Sequence, residues 1–296
     1  MSATVRRLLN LALAAATLAA LAAGPARADF RHQRMGARPR AMGSAFVSLS
    51  DDPNAVLWNP AGLRSDDRLA AMITRHWLYD VATLENDMLS LTFPAWHGVS
   101  LGAGFIRLGI EDIYHEDTYL LSAAADVPWL RGLAVGASGK LLRLAAPGYE
   151  RYGDPAYDGG DTGFALDLGW LYDSGANWRL GGVVTNLNEP YLQLLATTTD
   201  PDPVYSGFAV GGSYLFRDTL LLTADLRSRE GGWDSVALHG GAEIWFYDAL
   251  ALRAGYNVDQ VTMGFGLQDV HWEADFSLET HKELGNVYML SFTVRN

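Results

Sequence analysis

The sequence contains no cysteine. Disulfides, thiolate metal sites and the lipidated cysteine of a lipoprotein are excluded at once. Positive charge is scarce: 22 Lys and Arg stand against 34 Asp and Glu, a net charge of −12. That balance argues against nucleic acid as a partner. Long hydrophobic runs are scarcer still. The one present, Leu8 to Ala23, is broken only by Asn10 and Thr17. It follows Arg6 and Arg7 and precedes Ala26-Arg27-Ala28, the order of a secretory signal peptide with its small-x-small cleavage site. Residues 1–28 are therefore expected to be removed, taking three arginines and no acid and moving the net charge to −15. No later run is long enough for a transmembrane helix, so a membrane span has to come from strands.

Signatures of catalysis are missing too. The sequence has no Gly-x-Ser-x-Gly elbow, and Gly136-Ala137-Ser138-Gly139 fails that spacing. His76, His239, His271 and His281 form neither His-x-x-x-His nor His-Glu-x-x-His. The expectation is a protein that is not an enzyme and carries no cofactor. Glu150, Asp154, Asp158 and Asp161 cluster their oxygens in the loop Gly148–Asp161. Their spacing is not that of an EF-hand, and calcium is left open there.

What the sequence does have is alternation. After Leu63 it divides into segments of about ten residues with period-two hydrophobicity, the length and pattern of outer-membrane strands. The segments are 68–78, 85–94, 98–109, 118–127, 132–145, 161–172, 177–187, 204–216, 219–229, 235–247, 249–258, 260–268, 271–280 and 286–295. Alternate links are short, as at Arg217-Asp218 and Tyr247-Asp248. Links on the other parity include the long polar stretches 110–117, 146–160 and 188–203. Short turns on one side and long loops on the other suit an up-and-down transmembrane barrel of about fourteen strands. Within strands, Leu222, Ala224 and Leu226 oppose Thr223, Asp225 and Arg227, and Trp272, Ala274, Phe276 and Leu278 oppose Glu273, Asp275, Ser277 and Glu279. The apolar faces are expected to meet lipid and the charged faces a lumen. Aromatics near strand ends, Trp77, Phe93, Trp129, Trp170, Trp178, Phe216 and Phe246 among them, suit interfacial girdles.

Between the signal and the first strand lie Ala41-Met42-Gly43-Ser44-Ala45-Phe46, Asp51-Asp52 and Trp58-Asn59-Pro60-Ala61-Gly62-Leu63. This stretch resembles the N-terminus of the outer-membrane proteins of FadL-like fold, especially the PorV/PorQ-type branch. The resemblance implies an antiparallel barrel whose N-terminal segment folds inside the lumen as a hatch. The expected division is 1–28 signal peptide, 29–67 hatch and 68–296 transmembrane barrel. Asp51, Asp52, Asn59, Pro60, Ala61 and Gly62 fall on the hatch motif. Pro60 drives Asn59 away from helix, Gly62 permits a positive φ, and Asp51 or Asp52 is placed to cap Ala55–Trp58.

Met35, Met42, Phe46, Leu57 and Trp58 are the expected contacts of a hydrophobic ligand between hatch and wall. The lumen charges are Lys140, Asp167, Arg179, Asp225, Arg227, His239, Glu243, Arg253, Glu273, Asp275 and Glu279. Arg31, Arg34, Arg38 and Arg40 of the hatch are expected to pair with the wall acids. The resemblance implies residence in the outer membrane, with its lipid as partner, and passage of a hydrophobic small molecule or a part in protein secretion beside a secretion-system protein. Two other readings stay open: a sealed scaffold barrel presenting its loops to a protein, and a soluble exported β-protein.

Overall fold

The computed structural model describes Phe30 and residues 34–296, apart from 79–82, 198–200, 229–235, 259 and 282–284. Residues 1–28 and Arg31 lie outside the described residues. The strands are β1 Ala70–Trp77, β2 Leu84–Trp96, β3 Val99–Ile110, β4 Tyr114–Asp126, β5 Leu133–Ala145, β6 Asp161–Asp173, β7 Trp178–Thr185, β8 Tyr191–Leu192, β9 Asp202–Pro203, β10 Gly207–Phe216, β11 Leu220–Ser228, β12 Val236–Phe246, β13 Leu250–Asn257, β14 Gln260–Gln268, β15 Trp272–His281 and β16 Gly285–Arg295. All but β8 and β9 pair antiparallel with their chain neighbours, and β1 pairs with β16, closing a fourteen-stranded barrel. The all-β, up-and-down architecture expected from the alternation is the one observed. No helix among the described residues is long and apolar enough to cross a membrane.

Every connection at one end is a tight turn. Three are two-residue hairpins with both residues at positive φ: His97-Gly98, Arg217-Asp218 and Tyr247-Asp248. This geometry matches the strands' own twist. The other end carries the long links 146–160 and 186–206, the latter holding the β8–β9 hairpin. We call these the turn end and the loop end. Asn296 and the entry to β1 lie at the turn end.

Three details depart from the expected strands. The second segment does not end at Pro94. β2 runs on to Trp96, with a register shift between Phe93 and Trp96 that accommodates the proline, which has no N–H to give a ladder. β4 begins at Tyr114 rather than at 118, because Asp117 occupies its outer face and breaks the apolar alternation there. The 188–203 link contains a small hairpin too short to leave a period in sequence.

Residues Met35 to Leu63 are almost entirely buried and ringed by the barrel. Helix α1, Ala37–Ala41, packs on β13–β16, while α2, Ala55–Trp58, and the 3-10 turn Pro60–Arg64 pack on β3–β6. One side is dry: Met35, Ala37, Ala55, Val56 and Leu63 join Met72, Met88, Ile106, Leu120 and Met289 of the wall in one apolar cluster. The segment fills the lumen, and the wall's outer face is largely apolar where that of a soluble barrel is polar.

Candidate passage between the lumen segment and the wall

Asn59 organises the segment. Its backbone is extended, φ −162°, as the following proline requires. Its side-chain amide donates to the Val47 carbonyl at 2.8 Å and to the Trp170 carbonyl of β6 at 3.0 Å, and its oxygen accepts from the Ala61 N–H at 3.2 Å. One side chain therefore ties two stretches of the segment to the wall. Gly62 has no positive φ. Its role is spatial, since a Cβ there would stand 2.1 Å from the Ser50 carbonyl oxygen. Neither Asp51 nor Asp52 caps α2. Asp52 instead accepts from the Asn54 backbone and side-chain N–H groups, both at 2.8 Å, forming an Asx turn just ahead of the helix.

The wall admits the segment through glycines. A Cβ at Gly169 would meet Asn59 Oδ1 at 2.1 Å, at Gly181 the Val47 oxygen at 2.5 Å, at Gly241 the Met42 oxygen at 2.5 Å, and at Gly255 the Gly43 nitrogen at 2.1 Å. At Gly181, Gly241 and Gly255 backbone lies on backbone, and at Gly169 the Asn59 amide lies on the wall. Gly255→Val should leave the strand ladder intact and unseat residues 42–44, which a rise in protease cleavage within 35–63 would register. Unchanged cleavage would show that the segment does not depend on this contact.

Arg38 centres the charge network. It holds Glu243 through Nε at 2.9 Å and Nη2 at 3.1 Å, Asp51 through Nη1 at 2.6 Å and Asp52 at 3.2 Å. Glu243 also binds Arg253 at 2.6 Å, and Arg253 reaches Asp275 at 2.5 Å and Glu273 at 3.6 Å. Glu273 continues to Arg295, and Arg40 pairs with Glu279. Arg179 joins Asp51 at 3.3 Å to Asp173 at 2.8 Å, and Lys140 pairs with Asp167 at 2.7 Å. Burial pushes the Asp51 carboxyl up, but Arg38 and Arg179 together outweigh it and hold the group below the usual range. Burial pushes Asp52 up, and with the charge of Asp51 it prevails over Arg38. On acidification Asp52 therefore takes a proton before Asp51 does.

Two further wall residues hold backbone. Asp225 accepts from the Phe46 and Val47 N–H groups at 2.8 and 2.9 Å, and His239 Nδ1 donates to the Gly43 carbonyl at 2.9 Å. Arg227 lies 5.0 Å over the Trp58 ring, a cation–π contact. All eleven lumen charges read from the alternation face inward. The sequence did not single out Ser291, which accepts from the Ala37 N–H at 2.9 Å, or Thr262, which accepts from the Gly43 N–H at 3.1 Å. Hydroxyls on an inward face carry no mark that separates them from solvated ones.

Two cavities flank the segment on the side of β7 and β10–β12. The one toward the loop end measures about 90 Å³ and is lined by Leu57, Trp58, Lys140, Asp167, Phe208 and Arg227. The one toward the turn end measures about 390 Å³ and is lined by Arg38, Leu49, Arg179, Leu221, Glu243 and Trp245. Between them sits an apolar cluster of Met42, Phe46, Leu49 and Trp58, with Leu57 and Leu221 packed against it. Phe46 and Trp58 meet edge to face at 6.0 Å. Met35 lies apart from both cavities, in the dry cluster on β1–β4 and β16. Two acids of loop 148–161 hold nearby chain: Asp154 accepts from Tyr149 Oη and the Ala156 N–H of the loop, and Asp161 accepts from the Gln193 N–H of the 186–206 link. No group of three or more His, Asp or Glu among the described residues is arranged to hold a metal.

The model of one protein family, described as "F plasmid transfer operon, TraF, protein", matches residues 131–278, half of the chain. No curated protein matches the sequence. Among solved structures, the CymD monoaromatic hydrocarbon channel superposes with a TM-score of 0.59 at 15% identity, over 90% of this chain and 97% of that one. The Ralstonia pickettii toluene transporter TbuX gives 0.53 at 17% identity, over 90% and 98%. A Pseudomonas aeruginosa FadL homologue gives 0.56 at 12% identity, over 84% and 95%. At these identities the likeness is one of fold, and the fold is that of FadL-type outer-membrane barrels.

Proposed function

The chain belongs to the family of the F plasmid transfer operon TraF protein, and from that premise and the lumen geometry we propose an exported outer-membrane barrel that passes a hydrophobic small molecule. The observation that carries this reading is the pair of cavities on one side of the segment, one lined by Leu57 and Trp58 and the other by Leu49 and Leu221, all four in or against one apolar cluster. In the proposal the signal peptide is removed and residues 29–67 act as a hatch. The loop end faces outward and the turn end faces the periplasm. A molecule enters above Leu57 and Trp58, displaces the apolar cluster and leaves past Leu49 and Leu221. The charge network around Arg38 keeps the rest of the hatch in place while that cluster yields. The dry face on β1–β4 and β16 makes a fixed hinge side, because parting it would expose apolar surface to water. The fold shared with the hydrocarbon and toluene channels supports this reading. The N-terminal motif supports kinship with the PorV/PorQ-type branch, and the long loops 146–160 and 186–206 are where a secretion-system protein would dock.

Vesicles containing the purified protein should take up a hydrophobic fluorophore faster than empty vesicles while showing no steady ion conductance. Equal uptake would remove the transport reading. The orientation has its own check. Cysteines at Gly153 and Pro201 should react with an impermeant thiol reagent on intact cells, and one at Asp218 should not. The reversed pattern would invert the barrel.

A further inference from the structure

The lipid-facing surface is not uniform. Among the described residues, β6, β7 and β10–β16 present no charged side chain outward. β1–β5 present a ladder. Arg75 pairs in register with Asp87, Asp87 with Arg107, Arg107 with Asp117, and Asp117 with Arg143, each directly across from the next. All lie near the loop end, on the part of the wall where β2, β4 and β5 run to 13 residues and β3 to 12. A spanning strand needs about 9–11 residues, so the ladder stands at the headgroup level or above it.

The ladder is lopsided. Arg107 holds Asp117 with two bonds at 2.7 and 2.8 Å, and the carboxylate is 1% exposed while the guanidinium is 44% exposed. Arg143 is exposed on the other flank of that same carboxylate. Two strand spacings, about 10 Å, separate the backbones that carry these two arginines. Both face outward, and the Asp117 carboxylate that Arg107 holds is tucked behind the row. Arg75 is 48% exposed and reaches Asp87 at 3.2 Å and Glu85 at 3.5 Å. Directly below Arg75 and Asp87, toward the membrane, is a groove of about 420 Å³ walled by Ile73, Leu89, Phe105, Leu290 and Phe292.

We propose that this face of β1–β5 and β16 binds a phosphorylated lipid of the surrounding leaflet. Its phosphate lies against Arg107 and Arg143, with Arg75 at the head of the groove, and an acyl chain fills the groove. The groove is continuous with the charged row and lies on the membrane face of the wall, so its occupant has a charged end and an apolar body, as a phospholipid has. Arginine's planar fork suits phosphate. The inference rests on the membrane reading of the barrel and not on transport.

The test uses purified protein in micelles doped with dioleoyl phosphatidic acid or with dioleoylglycerol, which differ only in the phosphate. Native mass spectrometry should find the phosphatidate retained and the diacylglycerol lost. R107Q/R143Q should lower retention on the order of tenfold, while R107K/R143K should restore most of it. Equal retention of the two lipids by the unmodified protein, a comparison that needs no variant, would overturn the proposal. So would R107Q/R143Q protein that still shows the heat-modifiable band of a closed barrel and retains phosphatidate in full. A protein recovered without any such band would instead refute the membrane reading.

Discussion

Arg38→Ala should destabilise the seated N-terminal segment by about 3–5 kcal/mol, the usual consequence of leaving buried carboxylates without their cation. Three lose a partner at once: Glu243, which Arg38 grips with two nitrogens, and Asp51 and Asp52. Arg253 still holds Glu243, so the wall strand keeps its pairing and the loss falls on residues 38–52. Limited proteolysis of the detergent-purified protein would read this as cleavage within 35–63 while the barrel stays heat-modifiable. The sign of the pH dependence follows from the same contacts. Arg38 helps to hold the Asp51 carboxyl below its usual range, so that carboxylate contributes stability at neutral pH that fades as pH falls through its folded value. The variant keeps only the part of it that Arg179 supplies. Its deficit should be greatest near neutral pH and shrink on acidification, as the orphaned carboxyls protonate. A deficit constant from pH 7 to pH 4 would show that Arg38 acts by packing over Phe46 and not by charge.

Trp58→Ala should open the proposed path. The ring closes the apolar cluster between the cavities, stacks under Arg227 and donates through Nε1 to the Met35 carbonyl at 2.8 Å. Truncation should cost about 3–5 kcal/mol, in the range of large aromatic deletions from a core, and should join the two cavities. Uptake of a hydrophobic fluorophore into vesicles should rise several-fold, with steady ion leakage appearing. Trp58→Phe keeps most of the volume and loses only the indole N–H, so it should remain closed to ions. If Trp58→Ala is as tight as the unmodified protein, the barrier lies elsewhere in the lumen and the path between the cavities is wrong.

The strands were legible because a wall with lipid on one side and a polar lumen on the other enforces a period of two over every crossing. Legibility failed where that rule is suspended. The first residues of β4 carry Asp117 on the outer face, which breaks the apolar signal while the hydrogen-bonded ladder continues. The second segment is read as ending at Pro94, yet the register shift absorbs the proline and the strand goes on. Around the segment, the extended backbone at Asn59 could be read because the following proline restricts it locally. The reason for Gly62 could not, because the atom it makes room for belongs to Ser50. Inward orientation of Glu243 follows from alternation, but its pairing with Arg38, 205 positions away, does not. Several acids share that face, and only the packed segment selects among them.

Ser291 has a consequence for how the barrel is completed. It belongs to β16, shares a hydrogen bond of 2.8 Å with Thr74 of β1, and accepts from the Ala37 N–H of the segment. The β1–β16 seam joins residues from opposite ends of the chain, the most distant pairing in the wall and the slowest to find by diffusion. The segment runs directly into β1. When it seats against β13–β16, it delivers β1 to the strand that must receive it. The most distant encounter in the wall thus becomes a local one, templated from within.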